Sequence, residues 1–241
     1  MTFLRDLKAN NNREWFTPRK MVYEQTVKRP MTELVLALED EFRAFAPDVV
    51  VDPAKCMYRI YRDVRFSNDK SPYKTHVAAS FYPRGIPKHA GAGYYVHIAP
   101  EEVLIGGGVY MPGSQELLAI RQKIAAKPEA IRAILADRNF KKLFGELEGE
   151  KLKRVPKGFA PDDPAADLLV HKQFLASVTL PAEAATEKKF FSELVKYFKA
   201  ISPLIDFLNE PLGGEKRQNA SLSAPRGATR RRKRSTPSAA D

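Results

Sequence analysis

Cysteine is almost absent, since Cys56 is the only one in the chain. A single thiol cannot close an intrachain disulfide and leaves no CxxC pair for zinc or dithiol exchange, so a disulfide scaffold, a zinc ribbon and a dithiol oxidoreductase are excluded. The simplest place for Cys56 is the core. Long apolar runs are missing too, because no window approaches the roughly 18 residues of a membrane-crossing helix. The opening MTFLRDLKANNN lacks the apolar run and small-residue cleavage site of a signal peptide. A soluble, cytoplasmic protein with no membrane partner is the expectation. No GxxxxGK[ST] and no Rossmann fingerprint occur, which disfavours the standard nucleotide-binding loops. The histidines His76, His89, His97 and His171 form no HExxH or other zinc spacing, and no GxSxG elbow supports a serine nucleophile.

What the chain does have is apolar substance and positive charge. With 44% hydrophobic and 10% aromatic residues in 241, one sizeable core can be buried and a second would be cramped. The net charge of +11 is uneven: residues 213–241 carry +6 of it, with only Leu222 as a large apolar residue. Such a segment cannot offset its ordering entropy and is expected to be disordered, leaving one α+β domain over residues 1–212. The run Arg230, Arg231, Arg232, Lys233 and Arg234 would attach electrostatically to nucleic acid or another polyanion, although such runs also occur as solvated tails.

Periodicity divides the rest into three stretches. Thr17 and Pro18 read as the start of a helix to about residue 45, with Tyr23, Val27, Met31, Leu34, Leu38 and Phe42 at helical spacing and a bend or break at Pro30. From about 56 to 110, short aromatic and apolar runs alternate with turn sequences, which predicts an antiparallel meander of four strands. Helices are expected again from Gly113 or Ser114, from Pro128, and from Phe190 through Phe198, with a short closing segment at 203–208 after the loop RVPKGFAPDDPAAD. Helices on either side of a strand block make the fold class α+β, an antiparallel meander flanked by amphipathic helices.

Within that block, RIYRDVRFSNDKSPYKTH at 59–76 carries far more charge than a hairpin needs. Read as a strand, 56–66 puts Cys56, Tyr58, Ile60, Val64 and Phe66 on one face together with Arg62, and Arg59, Tyr61, Asp63 and Arg65 on the other. SNDKSP would be the turn, and Tyr73–Tyr82 the return strand with Lys74 and His76 on one face. An arginine in apolar phase needs a carboxylate, for which Asp63 and Glu14 are candidates.

The order of residues Arg59, Arg62, Asp63, Arg65, Phe66, Asp69, Lys70 and Tyr73 resembles the signature of DUF2461, a bacterial and fungal family. The resemblance extends to FLRDLKANNNREWF, GGGVYMP and RVPKGF, and so over nearly all of residues 1–210. The family is named for an unassigned function, so the resemblance implies no reaction, ligand or cofactor. Two readings of the segment therefore stand on its residues. In one, Asp63 and Asp69 neutralise the arginines in a structural network. In the other, which the surplus of positive charge favours, Arg59, Arg62, Arg65, Asp69, Lys70, Tyr73 and Lys74 hold a small anionic or phosphorylated ligand.

Gly106, Gly107 and Gly108 permit close backbone approach, and their N–H groups could join an anion site; a strand bulge explains them equally well. If there is chemistry, Asp63 or His76 is the best-placed general base. His76, His97 and Asp63 could be set around a metal, but satisfied sheet histidines are commoner, and the expected metal set is none. Trp15 and Phe16 read as core anchors. The competing function is a non-enzymatic nucleic-acid binder or scaffold acting through the tail.

Overall fold

The computed structural model describes residues 2–213 apart from Pro87. The expected disorder of the basic tail, including Arg230–Arg234, lies beyond Gly213 and outside the described residues. Among those residues the architecture is α+β: a four-stranded antiparallel sheet in the order β1-β2-β3-β4, with helices on one face.

The chain enters through helix α1 (Thr2–Ala9), whose Phe3, Leu4 and Leu7 are buried. The next helical segment starts earlier than Thr17. Asn12 caps it, its side chain accepting from the Trp15 N–H at 2.8 Å. Pro18 sits in a short 3-10 turn, and a π-helical turn, Glu24–Lys28, leads into helix α2 (Arg29–Phe45). The expected break at Pro30 is thus present just ahead of it: a proline cannot donate to the preceding turn, and the wider π turn accommodates the missing bond.

The sheet consists of β1 (Val77–Phe81), β2 (Gly93–Ile98), β3 (Glu102–Val109) and β4 (Phe174–Pro181). The meander therefore has three strands within 56–110, not four. The last strand comes after helices α3 (Ser114–Ala126), α4 (Pro128–Ala136) and α5 (Arg138–Phe144). Strand β4 was missed beside the proline-rich loop, although Phe174 and Ala176 alternate as buried residues with half-buried Leu175 and Ser177.

The hairpin expected at 56–82 is reduced to two isolated antiparallel bridges, Met57↔Ala79 and Tyr61↔Tyr73. Between them lie residues 58–60 on one arm and 74–78 on the other, so the return arm bulges by two residues and no continuous ladder forms. The strand register assigned to 56–66 is wrong accordingly. Phe66, expected on the apolar face, is 95% exposed.

One face of the sheet makes the core. Phe81, Tyr94 and Val96 pack on helix α6 (Phe190–Asn209) and on α2, with Phe42 5.0 Å from Tyr94 and Phe198 5.3 Å from it, ring centre to ring centre. The Tyr94 hydroxyl meets Ser202 Oγ at 2.8 Å. Helix α6 continues through Pro203, where a separate segment was expected, because Ile201, Leu204, Ile205 and Leu208 remain buried on both sides of it. The opposite face of the sheet opens onto a cleft lined by Tyr95, His97, Gly106 and Ser177.

Candidate functional site: a tyrosine- and histidine-lined cleft

The open face of the sheet follows from the strand register. Ser80 pairs with Tyr95, Tyr95 with Gly106 and Gly106 with Ser177; the next row is Ala78, His97, Leu104 and Thr179. Gly93, Gly108 and Leu175 make a third row. With two of the three β3 positions reduced to glycine, the middle of this face is hollow. It forms the floor of a cleft of about 860 Å³. Gly108 is required there, since its φ is +120° and an added Cβ would lie 2.0 Å from the Phe174 carbonyl oxygen.

The walls come from three places. The bridge at Met57 and a bond from the Tyr58 N–H to the Ala78 carbonyl at 3.0 Å set the Tyr58 ring at the cleft. The bulged return arm presents Lys74 and His76, and the connection after β1 presents Tyr82, Lys88 and His89. Glu148 faces them across the floor, fixed by a bridge to Leu175 and by Ser177 Oγ, which donates to its carboxylate at 2.9 Å. His89 holds a φ of +71°, uncommon for a residue with a side chain, and its ring lies 6.1 Å from both Tyr58 and Tyr82.

Three electrostatic features define this space. First, Lys74 Nζ lies 5.1 Å and Lys88 Nζ 4.6 Å from the centre of the Tyr58 ring, a cation–π arrangement for both. Lys74 donates to the Arg59 carbonyl at 3.1 Å and Lys88 to the Lys55 carbonyl at 3.2 Å. Among the described residues neither makes an ion pair. Burial, reinforced by Arg59 and Lys88, lowers the Lys74 pKa.

Second, the His76 and His97 rings lie 5.1 Å apart, centre to centre, and tilted by 33°. Burial, with His97 and Lys74 beside it, pushes His76 down to about 4, so it is neutral at physiological pH. Third, a chain of polar contacts crosses the floor. The Tyr95 hydroxyl approaches His97 Nδ1 at 3.3 Å, and His97 Nε2 approaches Glu102 at 3.4 Å. A carboxylate on Nε2 favours the tautomer with its proton there, leaving Nδ1 to accept from Tyr95. Burial raises Tyr95, Tyr58 and Tyr82, the last to about 12, so the phenols stay protonated and can donate.

The sequence-derived candidates divide sharply. Lys74, His76, Gly106, Gly107 and Gly108 line the cleft. Asp63, Arg62, Arg65, Asp69 and Lys70 do not line it; they lie in the loop between its two feet and bind one another. Arg65 makes a two-pronged pair with Asp63, at 2.9 and 2.7 Å, and Arg62 pairs with Asp69. Asp69 also accepts from the Ser71 N–H and hydroxyl, and Lys70 donates to the Val64 carbonyl at 3.0 Å. The partner of Arg62 is thus Asp69, where Asp63 or Glu14 was expected, and Arg62 keeps a quarter of its side chain in solvent.

Arg59 is exposed; it touches the cleft only through its carbonyl and its charge on Lys74. Tyr73 is a buried anchor, stacked 4.1 Å from Phe16, with its backbone N–H and carbonyl both held by the Asn11 side chain. Phe16 is core as expected, and Trp15 packs on Phe3. No group of three or more potential metal ligands occurs among the described residues. Sequence reasoning passed over Tyr58, Tyr82, Tyr95, Lys88, His89 and Glu148. Only the i, i+2 pairing of Tyr95 with His97 carried a local signal.

An α+β protein with one covered sheet face and one hollow, glycine-floored face is the class these features define. The family described as Conserved hypothetical protein (DUF2461) matches residues 1–207, and the chain belongs to that family. No curated protein and no solved structure matches it. No helix among the described residues is long and apolar enough to cross a membrane.

Proposed function

We propose that the cleft binds a small organic anion with a planar or apolar body, a carboxylate or phosphate ester being the natural headgroup. The observation that carries this reading is the pair of lysines, Lys74 and Lys88, over the ring of Tyr58, with no carboxylate on either among the described residues. Two ammonium groups held close together repel each other, and an anion placed between them relieves that repulsion. The volume falls in the range of small-molecule sites, and the lining has the usual composition, mostly apolar and aromatic with a few polar groups. Tyr58, Tyr82 and Tyr95 offer faces for a planar body and hydroxyls for its polar edge. His76, neutral and next to Lys74, is the candidate acid–base group if the bound molecule reacts. The site belongs on the sheet floor and bulged arm, with the arginine-rich loop as its outer support. A cytoplasmic location fits a metabolite-sized ligand.

Thermal melts of the full-length protein test the reading. Phenyl phosphate and benzoate are the probes, with sodium chloride matched in ionic strength as the control. At least one probe should raise the melting temperature, because a ligand that prefers the native state stabilises it, by about 2.7 kcal/mol at a hundredfold excess over its Kd. The rise should be lost in Lys74→Met and retained in Arg65→Ala. If neither probe shifts the melt, or if Lys74→Met responds as the parent does, the cleft is not an anion site. A response to nucleic acid alone, lost when residues 214–241 are removed, would favour the tail-driven scaffold instead.

A further inference from the structure

The cleft contains an amine in a setting that goes beyond charge recognition. Lys74 comes from the bulged arm, where, among the described residues, its ammonium donates to a main-chain carbonyl, Arg59 O at 3.1 Å, and to no carboxylate. An ammonium that exists to hold the fold together is normally met by a carboxylate. Here the one carboxylate among the described lining residues is Glu148, which is engaged by Ser177. The side chain lies instead against an aromatic ring, with Lys88 over the same ring and Arg59 next to it in sequence. Desolvation and neighbouring positive charge both favour the uncharged amine, the form with a lone pair to donate. The lowered Lys74 pKa agrees with that placement.

We propose that Lys74 is a nucleophilic amine that forms an imine with a small anionic carbonyl compound bound in the cleft, an aldehyde or keto acid or a phosphorylated aldehyde. The inference rests on the anion-binding reading above. In the step itself, the Lys74 Nζ lone pair forms a bond to the carbonyl carbon while the C=O π electrons move to oxygen, which takes up a proton. The amine nitrogen loses a proton to give the neutral carbinolamine. Protonation of its hydroxyl and departure of water leave the protonated C=N, whose nitrogen then gives up its remaining proton, so that one carbonyl and one amine become one imine and one water.

Both proton movements need groups that can accept and return a proton beside the nitrogen. His76, two residues along the same arm, and His97, its ring tilted against it at 5.1 Å, are placed for that, and the Tyr95 hydroxyl lies 3.3 Å from His97 Nδ1. Lys88 keeps its ammonium available for the ligand's anionic group. It is the less suitable nucleophile, being exposed and set on the outer wall.

Borohydride trapping on the full-length protein decides the matter. The probe is pyridoxal phosphate, a planar aromatic aldehyde with a phosphate, and the control is pyridoxine phosphate, the corresponding alcohol, which cannot form an imine. Reduction followed by peptide mass mapping should place the adduct on Lys74 at roughly ten times the level on any exposed lysine. Excess pyridoxine phosphate should suppress that labelling and should itself raise the melting temperature. His76→Asn should slow trapping at Lys74 by a larger factor than it reduces the pyridoxine phosphate shift.

Labelling spread over surface lysines without enrichment at Lys74, together with a clear pyridoxine phosphate shift, would overturn the imine proposal and leave the anion-binding reading intact. Labelling spread in that way with no shift from the alcohol would remove both. The mapping uses the unaltered protein, so the result does not depend on whether a Lys74 variant folds.

Discussion

In the loop of residues 62–71, each arginine finds its counterion a few residues away: Arg62 on Asp69, Arg65 on Asp63. In the cleft beside that loop, Lys74 and Lys88 converge on one tyrosine ring, and among the described residues neither makes an ion pair. The two regions are joined by a few residues and both are rich in basic side chains, yet one is electrostatically closed and the other open. Local pairs such as Asp63–Arg65 need only a turn to form and can be made by any short loop. An uncompensated lysine persists only where the surrounding structure holds it, and a site built around one has something left to offer a ligand.

The largest effect that separates the regions should come from the backbone beneath the cleft. Gly108→Ala puts a Cβ 2.0 Å from the Phe174 carbonyl oxygen at a φ of +120°. Strand β4 would have to move off β3, at a cost on the order of 3 kcal/mol. Urea denaturation should show the midpoint falling sharply. Ser67→Ala, in the loop, should leave it nearly unchanged. A mild Gly108→Ala would mean that the floor is softer than the register implies.

Second in size is the ligand response. Lys74→Met should melt at or slightly above the parent temperature, since it removes a desolvated cation and keeps an apolar stem of similar length. The same variant should lose the stabilisation of about 2.7 kcal/mol that a saturating anion gives the parent at a hundredfold excess. A Lys74→Met protein that is strongly destabilised without ligand would place Lys74 with the structural charges.

The sequence makes the α+β class, the helices at Ser114, Pro128 and Phe190, and the glycine run legible, because each depends on local periodicity or on a backbone preference. The motif also draws the eye to the right segment. What could not be read was the bulge between the bridges at Met57 and Tyr61, which takes Lys74 and His76 out of strand phase. Nor could Lys88, Tyr58 and Glu148 be assembled, for they meet only through tertiary pairing across more than ninety residues of chain. The prediction of a buried Arg62 failed for the same reason: alternation applies only where a ladder forms.

Acid separates the two regions next. Burial holds His76 at about 4, below the ordinary value of 6.5, with His97 and Lys74 facing it and adding to the effect. Above 6.5 the ring is neutral in both folded and unfolded chains and contributes no pH dependence. Between 6.5 and about 4 the unfolded chain takes up a proton that the native cleft refuses, so stability falls as pH falls through that window. Asp63 acts in the same direction, but over a lower window. Its hydrogen bonds and pairing with Arg65 hold it at about 2, and its contribution, present above the ordinary 3.8, is lost only as pH falls through that lower value. Melts from pH 7 to 3 should therefore show the cleft's loss first, with His76→Asn flattening the upper window and Asp63→Asn leaving it unchanged. If Asp63→Asn altered the slope above pH 5, the carboxylates of the loop would be coupled to the cleft.

The smallest effects distinguish the two arginines of the closed region. Arg65 lies largely in solvent beside a half-exposed Asp63, and water replaces most of what that pair contributes. Arg65→Ala should leave the melting temperature within error of the parent. Arg62 is three-quarters shielded, and its guanidinium reaches both Asp69 and, at 3.5 Å, the Ser67 hydroxyl, so it closes the loop from inside. Arg62→Ala should lower the melting temperature modestly and speed proteolytic nicking between residues 62 and 71, and Arg62→Lys should recover little, since an ammonium cannot span both partners. Neither substitution should change the response to phenyl phosphate. If Arg65→Ala weakened that response while Arg62→Ala did not, Arg65 would have to swing from Asp63 to the ligand, and the loop would belong to the open region after all.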